Sequence, residues 1–152
     1  MKRIVIISFI IPLLLFYFSS LFSQTLSQKE FIKAVKAADV FYYNDEDYEK
    51  AANLYEKLYN IYPDNANLSA KLGICFLNLD GKKTESLKLL TRASLNVVKD
   101  DKEYVEFGKK APLDTYLYLA IAYHYNDSLQ KAISLFYNAK KRLGRTFLTR
   151  IS

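Results

Sequence analysis

From Ser27 onward, apolar residues return every three or four positions in one stretch after another, with short polar turns between the stretches. That spacing places them on one face of an α-helix, and no segment alternates well enough to be a strand. Ser27-Gln28-Lys29-Glu30 has the Ser-x-x-Glu form of a capping box and opens the first helix. Phe31, Ala34, Val35, Ala38, Phe41 and Tyr42 make its apolar face, and Asn44-Asp45-Glu46-Asp47 interrupts it. Tyr48, Ala51, Ala52, Leu54, Tyr55, Leu58 and Tyr62 carry a second helix that stops at Pro63-Asp64-Asn65. A second pair follows from Leu68, Leu72, Cys75 and Phe76, a turn at Asp80-Gly81-Lys82-Lys83, and Leu87, Leu90, Ala93 and Val97. A third has Tyr116, Leu119, Ala120 and Tyr123, a turn at Asn126-Asp127, then Leu129, Ala132, Ile133, Phe136, Ala139 and Leu143, with Gly144 as a helix stop. The pattern predicts an all-α chain of three helical hairpins, over about residues 28–62, 66–98 and 112–143.

Composition narrows the function classes. The 152 residues suffice for one domain, and 51% hydrophobic content with only 4 Gly and 3 Pro excludes a disordered or collagen-like chain. One Cys excludes a disulfide framework and a Cys-based zinc finger, and one His excludes a site built from two histidines. There is no Gly-x-Gly-x-x-Gly, no P-loop and no His-Glu-x-x-His. No catalytic residue, metal site or cofactor is therefore expected. The formal charge of +6 is spread along the chain rather than concentrated.

The first residues read as an address. Lys2 and Arg3 precede an apolar run over residues 4–18, broken only by Ser8 and Pro12, and Ser19-Ser20-Leu21-Phe22-Ser23 follows. A charged start, an apolar middle and a small-residue end predict a signal peptide over residues 1–23, cut after Ser23. The rival reading is an uncleaved anchor, since the length of the largely apolar run 4–22 falls just within the roughly 17–25 residues that spanning requires. No Cys sits at the junction for lipid attachment. Export makes a nucleic-acid role implausible and leaves Cys75 as a lone thiol, read as a small buried apolar residue.

The hairpins resemble the tetratricopeptide repeat, a family of 34-residue helix–turn–helix units. Ala51, Tyr55 and Pro63 match the first hairpin, Leu72-Gly73 and Phe76 the second, and Leu119-Ala120, Tyr123, Ala132, Phe136 and Ala139 the third. Asp39 to Gly73 is 34 positions, and Gly73 to Ala120 is 47, an excess assigned to a shift near residues 80–84 and to the polar stretch 99–111. Asp39 and Leu58 stand where the family usually has small residues, and Ser86 where it has Ala. Lys110-Ala111-Pro112 and Ala122-Tyr123-His124-Tyr125-Asn126 are similar to the N-terminal repeats of bacterial envelope proteins that also carry β-propeller and OmpA-like domains. The resemblance implies a right-handed solenoid over residues 24–152 whose first helices line a concave groove. The residues projecting there are Lys33, Lys36, Val40, Tyr43, Ala70, Ile74, Asn78, Leu117, Ile121, His124 and Tyr125. Tyr42, Tyr55, Tyr123 and Phe136 fall in core slots.

The charged clusters have plainer readings. Asp45, Glu46 and Asp47 are solvated acids beside a helix N-terminus; Asp100, Asp101 and Glu103 belong to a soluble loop. Lys140, Lys141, Arg142 and Arg145 complement a helix C-terminus, or touch anionic lipid or an acidic partner.

These features lead to the expectation of an exported, non-enzymatic scaffold in the periplasm or at the outer membrane of a Gram-negative bacterium, binding a protein or peptide segment in its groove. Membrane contact is expected only through the leader or at the periphery. Alternatives are a glycan-binding helical-repeat module, which the absence of Trp disfavours, and an N-terminal fragment of a larger OmpA-like envelope protein. The tail after Gly144 is short for a capping helix, which leaves a partner or a second copy to cover the last hairpin. A C-terminal reporter fusion is expected to be active only in the periplasm, and the isolated product to begin near Gln24. Intact Met1 on a membrane-bound product would establish the anchor reading instead.

Overall fold

The computed structural model describes residues 26–99 and 101–144. The expected leader and the segment 145–152 lie outside them, as does Asp100. The described residues are all-α: helices α1 (Gln28–Tyr43), α2 (Tyr48–Ile61), α3 (Ala66–Leu77), α4 (Lys83–Ala93), α5 (Thr115–Tyr125) and α6 (Leu129–Leu143), with short 3-10 turns at Ser94–Asn96 and Asp101–Glu103. No strand is formed among them, only an isolated bridge between Val97 and Ala111.

Local chemistry sets the boundaries. Ser27 and Glu30 form a reciprocal cap: the Ser27 hydroxyl accepts from the Glu30 N–H, and the Glu30 carboxylate accepts from the Ser27 N–H at 2.9 Å. Asp47 caps α2 by accepting from the Lys50 N–H at 2.9 Å. Asn65 does the same for α3, accepting from the Leu68 N–H at 3.1 Å. Gly144 ends α6 with a φ of 61°, in the left-handed region that glycine enters without a Cβ penalty.

Each helix packs against the next in sequence, and α3 also touches α5. Phe31, Val35, Tyr55, Leu58, Leu68 and Leu72 join α1, α2 and α3 in one cluster; Ile74, Leu77, Leu90 and Leu119 join α3, α4 and α5 in another. Helix α3 is central, and every one of its residues except Lys71 is buried. A helix that is apolar all round belongs in the interior. Its approach to α4 depends on Gly73: a Cβ there would lie 2.8 Å from Leu90 Cγ. Ser86 is fully buried and donates its hydroxyl to the Gly73 carbonyl at 2.6 Å. The polar atom is thereby satisfied.

Two expectations are corrected. The second helix of the middle hairpin, expected to run on to Val97, ends at Ala93. The Val98 N–H bonds the Ala111 carbonyl and the Ala111 N–H bonds the Asn96 carbonyl, both at 3.0 Å, which draws the β-branched pair into extended backbone. In the polar stretch after Lys99, residues 106–109 are held by Asn67 of α3, only 3% exposed. Its side-chain amide donates to the Glu106 carbonyl at 2.7 Å, and its backbone N–H to the Lys109 carbonyl at 3.3 Å. Of the aromatics assigned to core slots, Tyr55 is fully buried, whereas Tyr42, Tyr123 and Phe136 are half-buried.

Overpacking tests this arrangement. Ala132→Leu, at a buried α6 contact, is expected to cost about 1–3 kcal/mol, and Gly73→Val about 3 kcal/mol. Lys33→Ala on the exposed side of α1 is expected to stay within about 0.5 kcal/mol. Urea denaturation reads all three, and a neutral Gly73→Val would mean that α3 and α4 do not approach this closely.

Candidate functional site

A cavity of about 690 Å³ opens where α1, α3 and α5 face one another, within the range of small-ligand and side-chain sites. The last turn of α1 contributes Tyr42 and Tyr43. Helix α3 contributes Asn67, Ala70, Lys71 and Ile74, whose spacing puts them on one face. Helix α5 supplies Leu117 and Tyr118, and the residues before it supply Pro112, Leu113 and Asp114. Tyr104 enters from the segment 99–111, and Leu143 from the end of α6.

A buried polar network runs through the α1–α3 wall, with Lys71 itself on the cavity lining. Asp39 accepts a short hydrogen bond from the Tyr55 hydroxyl and an ion pair from Lys71 Nζ at 2.6 Å. The Lys71 and Asp39 side chains are 11% and 12% exposed. The Lys71 ammonium lies 5.5 Å from the Tyr43 ring centre and 5.6 Å from that of Tyr55, so two aromatic faces share its charge. This explains why Asp39 fits where a small residue was expected. Its carboxylate replaces packing volume with bonds to α2 and α3. Burial, and then the bond to Asp39, raises the Tyr55 phenol far above its ordinary value, so it stays a donor. Burial is also the main cause raising Tyr104, whose hydroxyl lies 3.5 Å from Asn67 Oδ1. Burial pushes the Cys75 thiol up to about 12, away from the reactive thiolate.

The expected groove residues divide in two. Tyr43, Ala70, Ile74 and Leu117 surround the cavity, Tyr43 being 66% exposed while Ala70 has no exposed surface and serves as floor. The others lie outside its lining. Lys33, Lys36 and Val40 are exposed on α1, with the Lys36 ammonium 5.6 Å from the Phe107 ring centre. Asn78 caps α3 by donating to the Ile74 carbonyl at 2.9 Å. Ile121 is half-buried against the α3–α4–α5 cluster. His124 and Tyr125 are exposed at the end of α5, with Lys83 Nζ 4.8 Å from the Tyr125 ring centre. Sequence reasoning missed Lys71 and Tyr118, each one position from a residue it did select, and Tyr42, which it assigned to the core. It had no local signal for Asn67 or Tyr104, whose contact spans 37 positions.

Among the described residues no group of three His, Cys, Asp or Glu could hold a metal ion. No helix there is long and apolar enough to cross a membrane. Comparison with protein-family models, with curated proteins and with solved structures returned no match.

Removing the Lys71 ammonium tests the network. Lys71→Met leaves Asp39 buried with only the Tyr55 hydroxyl and is expected to cost about 3 kcal/mol in urea denaturation. Adding Asp39→Asn to that variant is expected to recover most of the loss, because Asn removes the unpaired charge and still accepts from Tyr55. Equal stability of the single and double variants would mean that water screens the pair.

Proposed function

We propose that the chain is an exported, non-enzymatic scaffold of the tetratricopeptide-repeat type, with its hairpins forming a right-handed solenoid. In this reading it binds a segment of a partner protein in the cell envelope, on the side formed by the first helix of each hairpin. The observation that carries the reading is the cavity itself: α1, α3 and α5, the first helices of the three hairpins, all contribute to its walls. The 34-position spacing from Asp39 to Gly73 and the small residues at the helix contacts support the repeat type. The charged, apolar and small-residue succession over residues 1–23 supports export. Tyrosines suit this work because each ring supplies apolar area and a hydrogen-bonding tip. Binding then consists of burying a partner segment against Tyr43, Ile74 and Leu117, with no covalent step.

Capture of one defined envelope protein by the full chain is expected to fall about tenfold or more with Tyr43→Ala, if that ring anchors the contact. The melting curve should move only by the loss of the ring's contact with the Lys71 ammonium, about 0.5–1 kcal/mol, so the loss of capture exceeds the loss of stability. Lys140, Lys141 and Arg142 form the competing surface on α6. Reversing their charges should weaken capture mainly at low salt. Capture abolished by that reversal and untouched by Tyr43→Ala would place the interaction on α6 and end the groove reading.

A further inference from the structure

The second helix of each hairpin carries a buried small residue, Ala51, Ser86 and Ala132, and a large apolar one four positions later, Tyr55, Leu90 and Phe136. Tyr55 and Leu90 are fully buried, in clusters that α3 and α5 help to form, whereas Phe136 is only half-buried. The position after the small residue follows the same course: Ala52 is buried, Leu87 half-buried and Ile133 53% exposed. Helix α3 covers α2 and α5 covers α4, but among the described residues no helix follows α6. The side of α6 that a next helix would cover is open.

That side is apolar in the middle and oppositely charged at its ends. Leu129, Ile133 and Tyr137 form one stripe at four-residue spacing, 58%, 53% and 72% exposed. The last helix of a stack of hairpins needs a polar outer face to stand in water alone, and this one lacks it. Asp127 lies in the turn before the stripe, and Lys140 and Lys141 lie at its far end. The other cations of α6 are engaged within the hairpin. The Lys131 ammonium lies 5.3 Å from the Tyr123 ring centre, and the Arg142 guanidinium 4.9 Å from that of Tyr116. Asp127, Lys140 and Lys141 are exposed and make none of the ion pairs among the described residues.

We infer that this face of α6 pairs with the same face of a second copy of the chain, antiparallel, about a two-fold axis at Ile133. The stripe is apolar to the same distance on both sides of Ile133, so the axis sets Leu129 of each copy beside Tyr137 of the other. Asp127 stands six positions before the axis, and Lys140 and Lys141 seven and eight after it. Each acid therefore meets the lysines of the other copy, and the two helix dipoles run in opposite directions. A parallel pairing would set lysine against lysine. The antiparallel one places a helix over α6 as α3 lies over α2 and α5 over α4. It is separate from the groove, since none of Leu129, Ile133 and Tyr137 lines the cavity.

The test is sedimentation velocity of the full chain at rising concentration, up to about 0.5 mM. A reversible monomer–dimer equilibrium is expected. Ile133→Asp should raise the dimer dissociation constant about tenfold or more, because pairing would bury two unmatched carboxylates. Leu95→Asp, at an 83% exposed residue outside α6, should leave it unchanged. Ile133→Cys, which keeps the face uncharged, should be joined to its own counterpart by a short bismaleimide, and Leu95→Cys should not. Cys75 is fully buried and does not compete. Asp127→Asn keeps a residue type that tolerates the φ of 54° at this position. That variant and Lys140→Gln/Lys141→Gln should each weaken the dimer about fivefold, and their combination no more than either, because both remove the same contact. A monomer at every concentration, a dimer indifferent to Ile133→Asp, no crosslink at Ile133→Cys, or losses that multiply would overturn the pairing. A monomer that sediments with phosphatidylglycerol vesicles, and ceases to with Ile133→Asp, would overturn it too and give the face to a lipid surface.

Discussion

The Asp39 carboxylate is where the first three helices are tied together. It projects from α1, accepts from the Tyr55 hydroxyl of α2 and pairs with Lys71 of α3, nearly out of reach of water. Charges taken out of water are tolerated only when their geometry is good and their remaining bonding capacity is filled. Here the Tyr55 hydroxyl and the rings of Tyr43 and Tyr55 complete the surroundings of the pair. The requirement is directional, unlike apolar burial, so it fixes the rotation of α1 and α3 relative to α2. That rotation places Tyr43 and Lys71 side by side on the cavity wall.

A second constraint comes from close approach. Gly73 lets α3 meet Leu90 of α4, and Ser86 closes the contact with a hydrogen bond to the Gly73 carbonyl. With α3 enclosed by neighbours, its polar residues must find partners inside the protein. Ser69 donates to the Leu89 carbonyl at 2.9 Å, and Asn67 bonds the segment 99–111. Backbone carbonyls of that segment, which water would otherwise solvate, thereby become part of the fold, and Tyr104 comes with them. That Tyr104 lines the cavity is a consequence of satisfying one buried amide.

The hairpin order was legible because helical spacing and turn chemistry are local. Ser27-x-x-Glu30 reads as a cap because both partners lie within one turn, and Gly144 reads as a stop because only its own backbone is at issue. The site was legible in part. Tyr43, Ala70, Ile74 and Leu117 followed from projecting the inner face of each first helix, since a face is a property of spacing. Asn78, Ile121, His124 and Tyr125 came from the same projection but lie outside this cavity's lining. A projection gives the angle around each helix and not how far along it the neighbouring helices meet.

The sequence by itself determined the helical class, the three pairs and most of their ends, because each depends on residues within a few positions of one another. Tertiary structure decided the rest. Asp39 looked like a misfit in its own helix and became a link only with Lys71, 32 positions away. The polar run 99–111 carried no periodicity, and residues 106–111 are placed by bonds to Asn67, Asn96 and Val98 that no local pattern encodes. Long-range pairing depends on which groups are left buried and unsatisfied once the helices have packed, and that is known only after packing.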